Sequence, residues 1–246
     1  AIRRPNVRCL AVGRFAVAGG HSILGSTFAS GAERVDVDLE GRVLAVLDAG
    51  PFVVLQRHGL DDYHAPHAID HAANLRAVQS LGCDRVVALS SVGGLRRELG
   101  VGTVVVPDDF IALHLGGSQY DDGRGHHISG FDAGWRARVL EQWQAAQPEV
   151  RDGGVYWQTI GPRFETAAEI RLMAAHADVV GMTIGAECVV ARELDLQYAA
   201  VCIVDNLANG VGEKPLTFEE FQVGVESNQE RLLAALDAVL PALTET

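Results

Sequence analysis

Short apolar runs that end in glycine or a polar tip, separated by stretches with helical spacing, constrain this chain more than any other feature. RVLAVLDAG, PFVVLQRHG, DRVVALSSVGG, GTVVVPDDF, ADVVGMT and YAAVCIVDN are rich in Val, Ile and Ala and bounded by Gly, Pro or Asp, the pattern of buried strands. Between them, HAIDHAANLRAVQSLG, GWRARVLEQWQAAQ, TAAEIRLMAAH and AECVVARELD place apolar residues at helical spacing, and FEEFQVGVESNQERLLAALDAVLPAL predicts a long last helix. Strands alternating with helices predict an α/β fold in three layers, a central mixed and largely parallel sheet flanked by helices. With 246 residues, 48% of them hydrophobic, the chain can fill one large core, and no linker or repeat divides it. One domain over residues 1–246 is expected.

Charge narrows the partners. The formal net charge of -12 argues against non-specific binding to nucleic acid or an anionic membrane, both of which need clustered Lys and Arg. A small substrate fits better, and an anionic one would need a local basic site. Cys9, Cys83, Cys188 and Cys202 are scattered, mostly in apolar runs, with no CxxC pair and no His spacing suited to zinc. They read as reduced core residues of a cytoplasmic protein, and no metal is expected. No apolar run approaches the roughly 20 residues that span a bilayer, and the N-terminus lacks a signal-peptide core.

In open α/β sheets, ligands bind at the carboxyl ends of the strands. The tips here are RHG at 57 to 59, SSVGG at 90 to 94, GMT at 181 to 183 and DNLANG at 205 to 210. Arg57 and His58 set a fixed positive charge and a donor ring at one tip, and an arginine forks onto phosphate or carboxylate. Ser90 and Ser91 before Gly93 and Gly94 offer hydroxyls and approachable N–H groups, although Ser and Gly at a strand end also serve as a plain turn. AGGHSILGS, residues 18 to 26, is a second Gly-rich candidate for an anion loop. In GPRFETAAE two carboxylates, Glu165 and Glu169, stand four apart at a helix start, where acids suit the macrodipole. The polar, Gly-rich segment from Leu113 to Gly134 is long enough to be a lid, an interface element or disordered.

Taken together, RHG, PHAIDHAANLRAV, SSVGGLRRELGVGTVVVPDDFI, GPRFETAAE, VVGMTIGAE and the strand ending in DNLANG resemble, in order, the trimeric purine nucleoside phosphorylase and methylthioadenosine phosphorylase family. The resemblance runs from Arg57 to the last helix. It implies a nucleoside phosphorylase-like fold and phosphorolysis: phosphate attacks the anomeric carbon of a purine ribonucleoside and releases the base and a ribose 1-phosphate. Such a reaction rests on positioning and preorganised donors. Inorganic phosphate is then a co-substrate and no cofactor is implied. By this resemblance Arg57, His58, Ser90 and Thr183 match phosphate positions, Met182 lies under the ribose, and Phe164 packs on the purine.

The same resemblance bears on the base. A 6-oxopurine carries a proton on N1, which suits a facing carboxylate, and Glu165 stands where the oxopurine branch places one. Asn206 matches that branch's amide, and Ala208 stands where the aminopurine branch keeps an acid. A one-residue shift would instead put Asp205 at N7 and reverse the preference, and Asp205 also reads as a turn or cap residue. At the 5′ end, Phe218 falls where nucleoside phosphorylases place a histidine and the methylthio branch an apolar residue; it also reads as an ordinary core residue. The combination points to S-methyl-5′-thioinosine. His127 resembles a position that reaches a neighbouring subunit's site, so a homotrimer is implied.

Two departures stand out. The family's first phosphate loop reads GG, then a hydroxyl residue, whereas here His21 intervenes before Ser22. The stretch DDYHA, residues 61 to 65, adds negative charge near the expected anion site. Three readings stay open: phosphorolysis of a 6-oxopurine nucleoside with methylthioinosine favoured, methylthioadenosine phosphorolysis, and a catalytically weak nucleoside-binding protein with a degenerate phosphate loop.

Overall fold

The apolar runs become strands of a single sheet. The structure, a computed structural model, describes residues 13–114, 118–213 and 215–244. The first half contains β1 (Arg14–Gly19), β2 (Glu33–Leu39), β3 (Arg42–Asp48), β4 (Phe52–Gln56), α1 (His71–Ser80), β5 (Cys83–Gly94), β6 (Val104–Val106) and β7 (Asp109–Ile111). The second contains α2 (Ala133–Ala146), β8 (Arg151–Asp152), β9 (Val155–Gln158), α3 (Ala167–Ala174), β10 (Val179–Gly181), α4 (Ile184–Glu193), β11 (Gln197–Leu207) and α5 (Phe218–Thr244). Among the described residues, the eleven strands run in the order β2-β3-β4-β1-β5-β10-β9-β7, with β11 joined to β5 and β6, and β8 to β6.

The centre is parallel: β1 pairs with β4 and β5, and β5 pairs with β11 along nearly its whole length. Antiparallel pairing is confined to the β2–β3–β4 meander and to the contacts of β10 with β5 and β6 with β11. Side chains alternate across the sheet, so each strand feeds both faces. On β11, Tyr198, Ala200, Cys202 and Val204 join α1 and α4 through Leu75, Val78, Ile184 and Cys188. Ala199, Val201 and Ile203 face the other way, onto α2 and α5 through Val139, Trp143, Leu236 and Leu243. This is the expected three-layer fold.

Several local expectations change. SSVGG is not a turn; it continues β5 to Gly94, because β11 and β10 pair with it there. RVLAVLDAG is a strand but mostly not a buried one, since β3 belongs to a hairpin outside the parallel centre. Pro107 lacks a backbone donor, and GTVVVPDDF accordingly splits into β6 and β7. The short runs that become β1, β2 and β9 carry no long apolar signal of their own, and β1 is nonetheless central. Cys9 lies outside the described residues, while Cys83, Cys188 and Cys202 are buried free thiols. Among the described residues, no helix is long and apolar enough to cross a membrane.

Candidate active site

Parallel pairing brings the tips together. Because Gly19 of β1 aligns with Gln56 of β4, the residues that follow, Gly20 and His21 on one strand and Arg57 and His58 on the other, leave the sheet side by side. They meet Ser90 to Gly93 of β5, Met182 and Thr183 beyond β10, and Asn206 and Ala208 at the end of β11. Phe164 and Glu165, ahead of α3, and Phe218 and Phe221 on α5 complete one cleft.

At its inner end Arg57 is almost wholly buried and already bound. Its Nε and Nη2 donate to the two carboxylate oxygens of Glu187 at 2.5 and 2.8 Å, Nη2 donates also to the carbonyl of Ala18, and Nη1 to that of Leu89. A guanidinium has five N–H donors and four are used, so one on Nη1 remains for the cleft. The expected two-pronged grip on an anion is therefore spent on Glu187. Burial pushes the Glu187 carboxyl up, but Arg57 overrides this and holds it at about 2. The Tyr198 hydroxyl donates to the same carboxylate at 2.8 Å. Nothing in the spacing of Glu187 from Arg57 signals this pair, which parallel strands and α4 assemble.

The histidines stand beside it. The Nδ1 of His58 lies 2.7 Å from the carbonyl oxygen of His64, and burial lowers its ring to about 4. His21 places its ring edge against His58 with centroids 4.7 Å apart, and burial followed by Arg57 lowers its pKa too. His21, not Ser22, forms the cleft wall; Ser22 is buried behind it with no partner for its hydroxyl among the described residues. The DDYHA stretch adds less negative charge than expected, because Asp61 pairs with Arg34 at the surface. Its Tyr63 instead stacks on His58 at 5.1 Å and bonds Nε2 of His21 at 3.2 Å, a site contact not foreseen. Ser90 and Thr183 bring hydroxyls; Thr183 is the N-cap residue of α4, yet its side chain makes no cap bond.

Glu165 and Asn206 line the cleft away from Arg57. The Thr159 hydroxyl donates to Oε1 of Glu165 at 2.7 Å, fixing the carboxylate, and the Asn209 amide donates to the Glu165 carbonyl at 3.0 Å. Glu169 serves the helix instead, forming a capping box with Thr166 and pairing with Arg163 at 2.7 Å. Gly161, with φ of +67°, admits the approach of Met182, whose sulfur a Cβ there would meet. A Cβ on Gly93 would lie 3.2 to 3.4 Å from Val180, Asn206 and Ala208, so the glycine lets these side chains close on bare backbone in the cleft wall.

A bulge in β11 separates Asn206 from Asp205. Val204 pairs with Val92 and Asn206 with Gly93, so Asp205 is the extra residue. Asn206 then lines the cleft, while Asp205 turns to α5 and accepts from Asn228 at 2.7 Å. Asp205 is accordingly not a cleft residue. Burial raises its carboxyl, against the pull of Ser91 and Asn228.

At the outer end, Phe218 and Phe221 lie three apart on one helix face, and Phe221 meets the His21 ring edge at 5.6 Å. The FEEF spacing is the signal for this second aromatic, which the family resemblance does not single out. His127 is not brought to the cleft: its Nε2 lies 3.4 Å from Glu193, at the end of α4.

Fold and cleft together define an α/β protein whose strand tips converge on one cleft lined by Arg57, two histidines, hydroxyls, a carboxylate, an amide and aromatic rings. A family model described as "Phosphorylase superfamily" matches residues 31–241, and the chain belongs to that superfamily. It is 38% identical over 216 residues to a protein of Archaeoglobus fulgidus named "Probable 6-oxopurine nucleoside phosphorylase", covering 87% of this chain and 86% of that one. It is 34% identical over 215 residues to a "Probable S-methyl-5′-thioinosine phosphorylase" of Methanocaldococcus jannaschii, covering 84% and 80%. Among solved structures, methylthioadenosine phosphorylase from Schistosoma mansoni in complex with adenine superposes with a TM-score of 0.78 at 21% identity, over 95% of this chain and 93% of that one.

Proposed function

We propose that the protein is an enzyme of the purine nucleoside phosphorylase type that cleaves a 6-oxopurine nucleoside with an apolar 5′ substituent, S-methyl-5′-thioinosine fitting best. A phosphate oxygen bonds to C1′ as the C1′–N9 bond breaks, the released electron pair passes into the purine, and the purine takes up the proton that the monohydrogen phosphate loses on becoming the sugar phosphate dianion. The products are hypoxanthine and 5-methylthioribose 1-phosphate. Phosphate, the co-substrate, sits among Arg57, His58, Ser90 and Thr183, with His21 in the place expected for Ser22. Met182 lies under the ribose and Phe164 against the base. Glu165 accepts a hydrogen bond from N1–H and Asn206 offers its amide to O6 and N7 as charge moves into the ring, the kind of preorganised contact that lowers a barrier.

One observation carries the purine choice: the bulge that turns Asn206 inward and Asp205 away leaves an amide, not an acid, beside Ala208. Phe218 and Phe221 support the apolar 5′ group, since neither can bond a hydroxyl. No cofactor is required by this chemistry. A homotrimer, with His127 approaching a neighbour's site, accords with the exposed Leu113 and Ile128 on that segment. Buried free thiols accord with a cytoplasmic setting.

The test is release of base from methylthioinosine, inosine, guanosine and methylthioadenosine, with and without phosphate. Methylthioinosine is expected to be cleaved fastest and only with phosphate. Methylthioadenosine cleaved fastest would overturn the purine assignment, phosphate-independent release would make the protein a hydrolase, and binding without release would make it a nucleoside-binding protein.

A further inference from the structure

The inner end of the cleft contains little free positive charge for an anion site. Arg57 is the one cationic side chain that lines the cleft among the described residues, and Glu187 lies directly behind it, both side chains at most 1% exposed. That pair is neutral as a unit. The other groups at this end are the rings of His21 and His58, the Tyr63 phenol and the hydroxyls of Ser90, Ser91 and Thr183; α5 brings no charged group to the cleft among the described residues, its Phe221 reaching the His21 ring from the outer end. His64 contributes its carbonyl oxygen and sets its own ring Nδ1 3.3 Å from the His58 carbonyl, while from α1 the Nδ1 of His71 lies 3.7 Å from Glu187. A doubly charged anion would meet no uncompensated cation.

The histidines can supply one. A carbonyl oxygen only accepts, so the proton of His58 lies on Nδ1 toward His64, and a neutral ring presents the lone pair of Nε2 to the cleft. That Nε2 and Nη1 of Arg57 converge on one spot, 3.4 and 3.0 Å from where a Cβ on Gly20 would stand. A lone pair there repels an anion; a proton turns it into a donor. His21 stands edge-on with its Nε2 held by Tyr63. A second proton would crowd like charges beside Arg57, so the pair accepts one.

We infer that a divalent anion entering this end of the cleft brings one proton from solvent onto the His21–His58 pair. The inference rests on the phosphate-site reading above. Burial and Arg57 keep both rings neutral near pH 7 in the free protein, His58 at about 4, so the proton is absent until the anion arrives.

Sulfate is the probe, because it stays a dianion through the neutral range whereas phosphate itself titrates there. Calorimetry of sulfate binding in buffers of different ionisation enthalpy is expected to show uptake approaching one proton per sulfate. The sulfate Kd should rise with pH by up to about tenfold per unit between the free and bound pKa values. Ring-nitrogen NMR of the complex should show an imidazolium at His21 or His58. Sulfate that competes with phosphate in the phosphorolysis assay yet binds without proton uptake, or with both rings neutral, overturns the inference and leaves the proposed function standing. Sulfate that fails to compete overturns the phosphate-site reading, and this inference with it.

Discussion

Glu165 and Glu169 are the same residue four positions apart, and what separates them is a partner. Glu165 takes a hydroxyl from Thr159 and lines the cleft; Glu169 closes a capping box and pairs with an exposed arginine, which holds its carboxyl at about 2. Glu165→Gln is therefore expected to lower kcat/KM for methylthioinosine by about 10- to 150-fold, the ~1.5–3 kcal/mol of a hydrogen bond to a charged group. Glu169→Gln keeps the box, which accepts Gln, and is expected to leave kcat/KM within about twofold. Steady-state kinetics of both variants decides this, and equal losses would remove Glu165 from the base site. GPRFETAAE alone places both acids at a helix start; the hydroxyl that singles out Glu165 comes from the end of β9, six residues back. Arg57 shows the opposite limit, its place at the strand tip legible and its Glu187 partner not.

At the scale of elements, the cleft depends on how closely α5 lies on β11. A Cβ on Gly224 would overlap the carbonyl of Asp205, so the glycine lets the helix touch the bulge itself. From that seat α5 delivers Phe218 and Phe221 over the site and Asn228 beneath it. Phe221→Ala should lower kcat/KM for methylthioinosine between about two- and tenfold more than for inosine, since an aromatic contact contributes ~0.5–1.5 kcal/mol. Parallel assays with the two nucleosides check it; an equal drop would make Phe221 a wall of the fold and not a reader of the 5′ group. The periodicity of FEEFQVGVESNQERLL is enough to foresee the helix. It cannot say that Gly224, among apolar residues, is the point of nearest approach.

For the molecule as a whole, the buried carboxylates set opposing pH dependences. The Asp205 pKa is raised by burial, so its charge is a cost in the folded state: both states are protonated below the unfolded value near 3.8, and stability is lost as pH rises through the folded value. Asp205→Asn is expected to raise Tm at pH 8, with the gain shrinking to nothing below about pH 4. Calorimetric melting from pH 4 to 8 measures it, and a less stable variant at pH 8 would refute it. Glu187 acts in the other direction, its lowered pKa contributing stability above 4.5 that is lost as pH falls through about 2. The layered α/β fold, the meeting of strand tips and most of the cleft residues were determined by the sequence itself, because strand and helix periodicity and polar tips are local signals that parallel pairing turns into one site. The bulge that leaves Asn206 and not Asp205 in the cleft, the Glu187 grip on Arg57 and the substitution of His21 for Ser22 were decided only in three dimensions. Each depends on which strand or helix lies alongside, and no spacing along the chain encodes that neighbour.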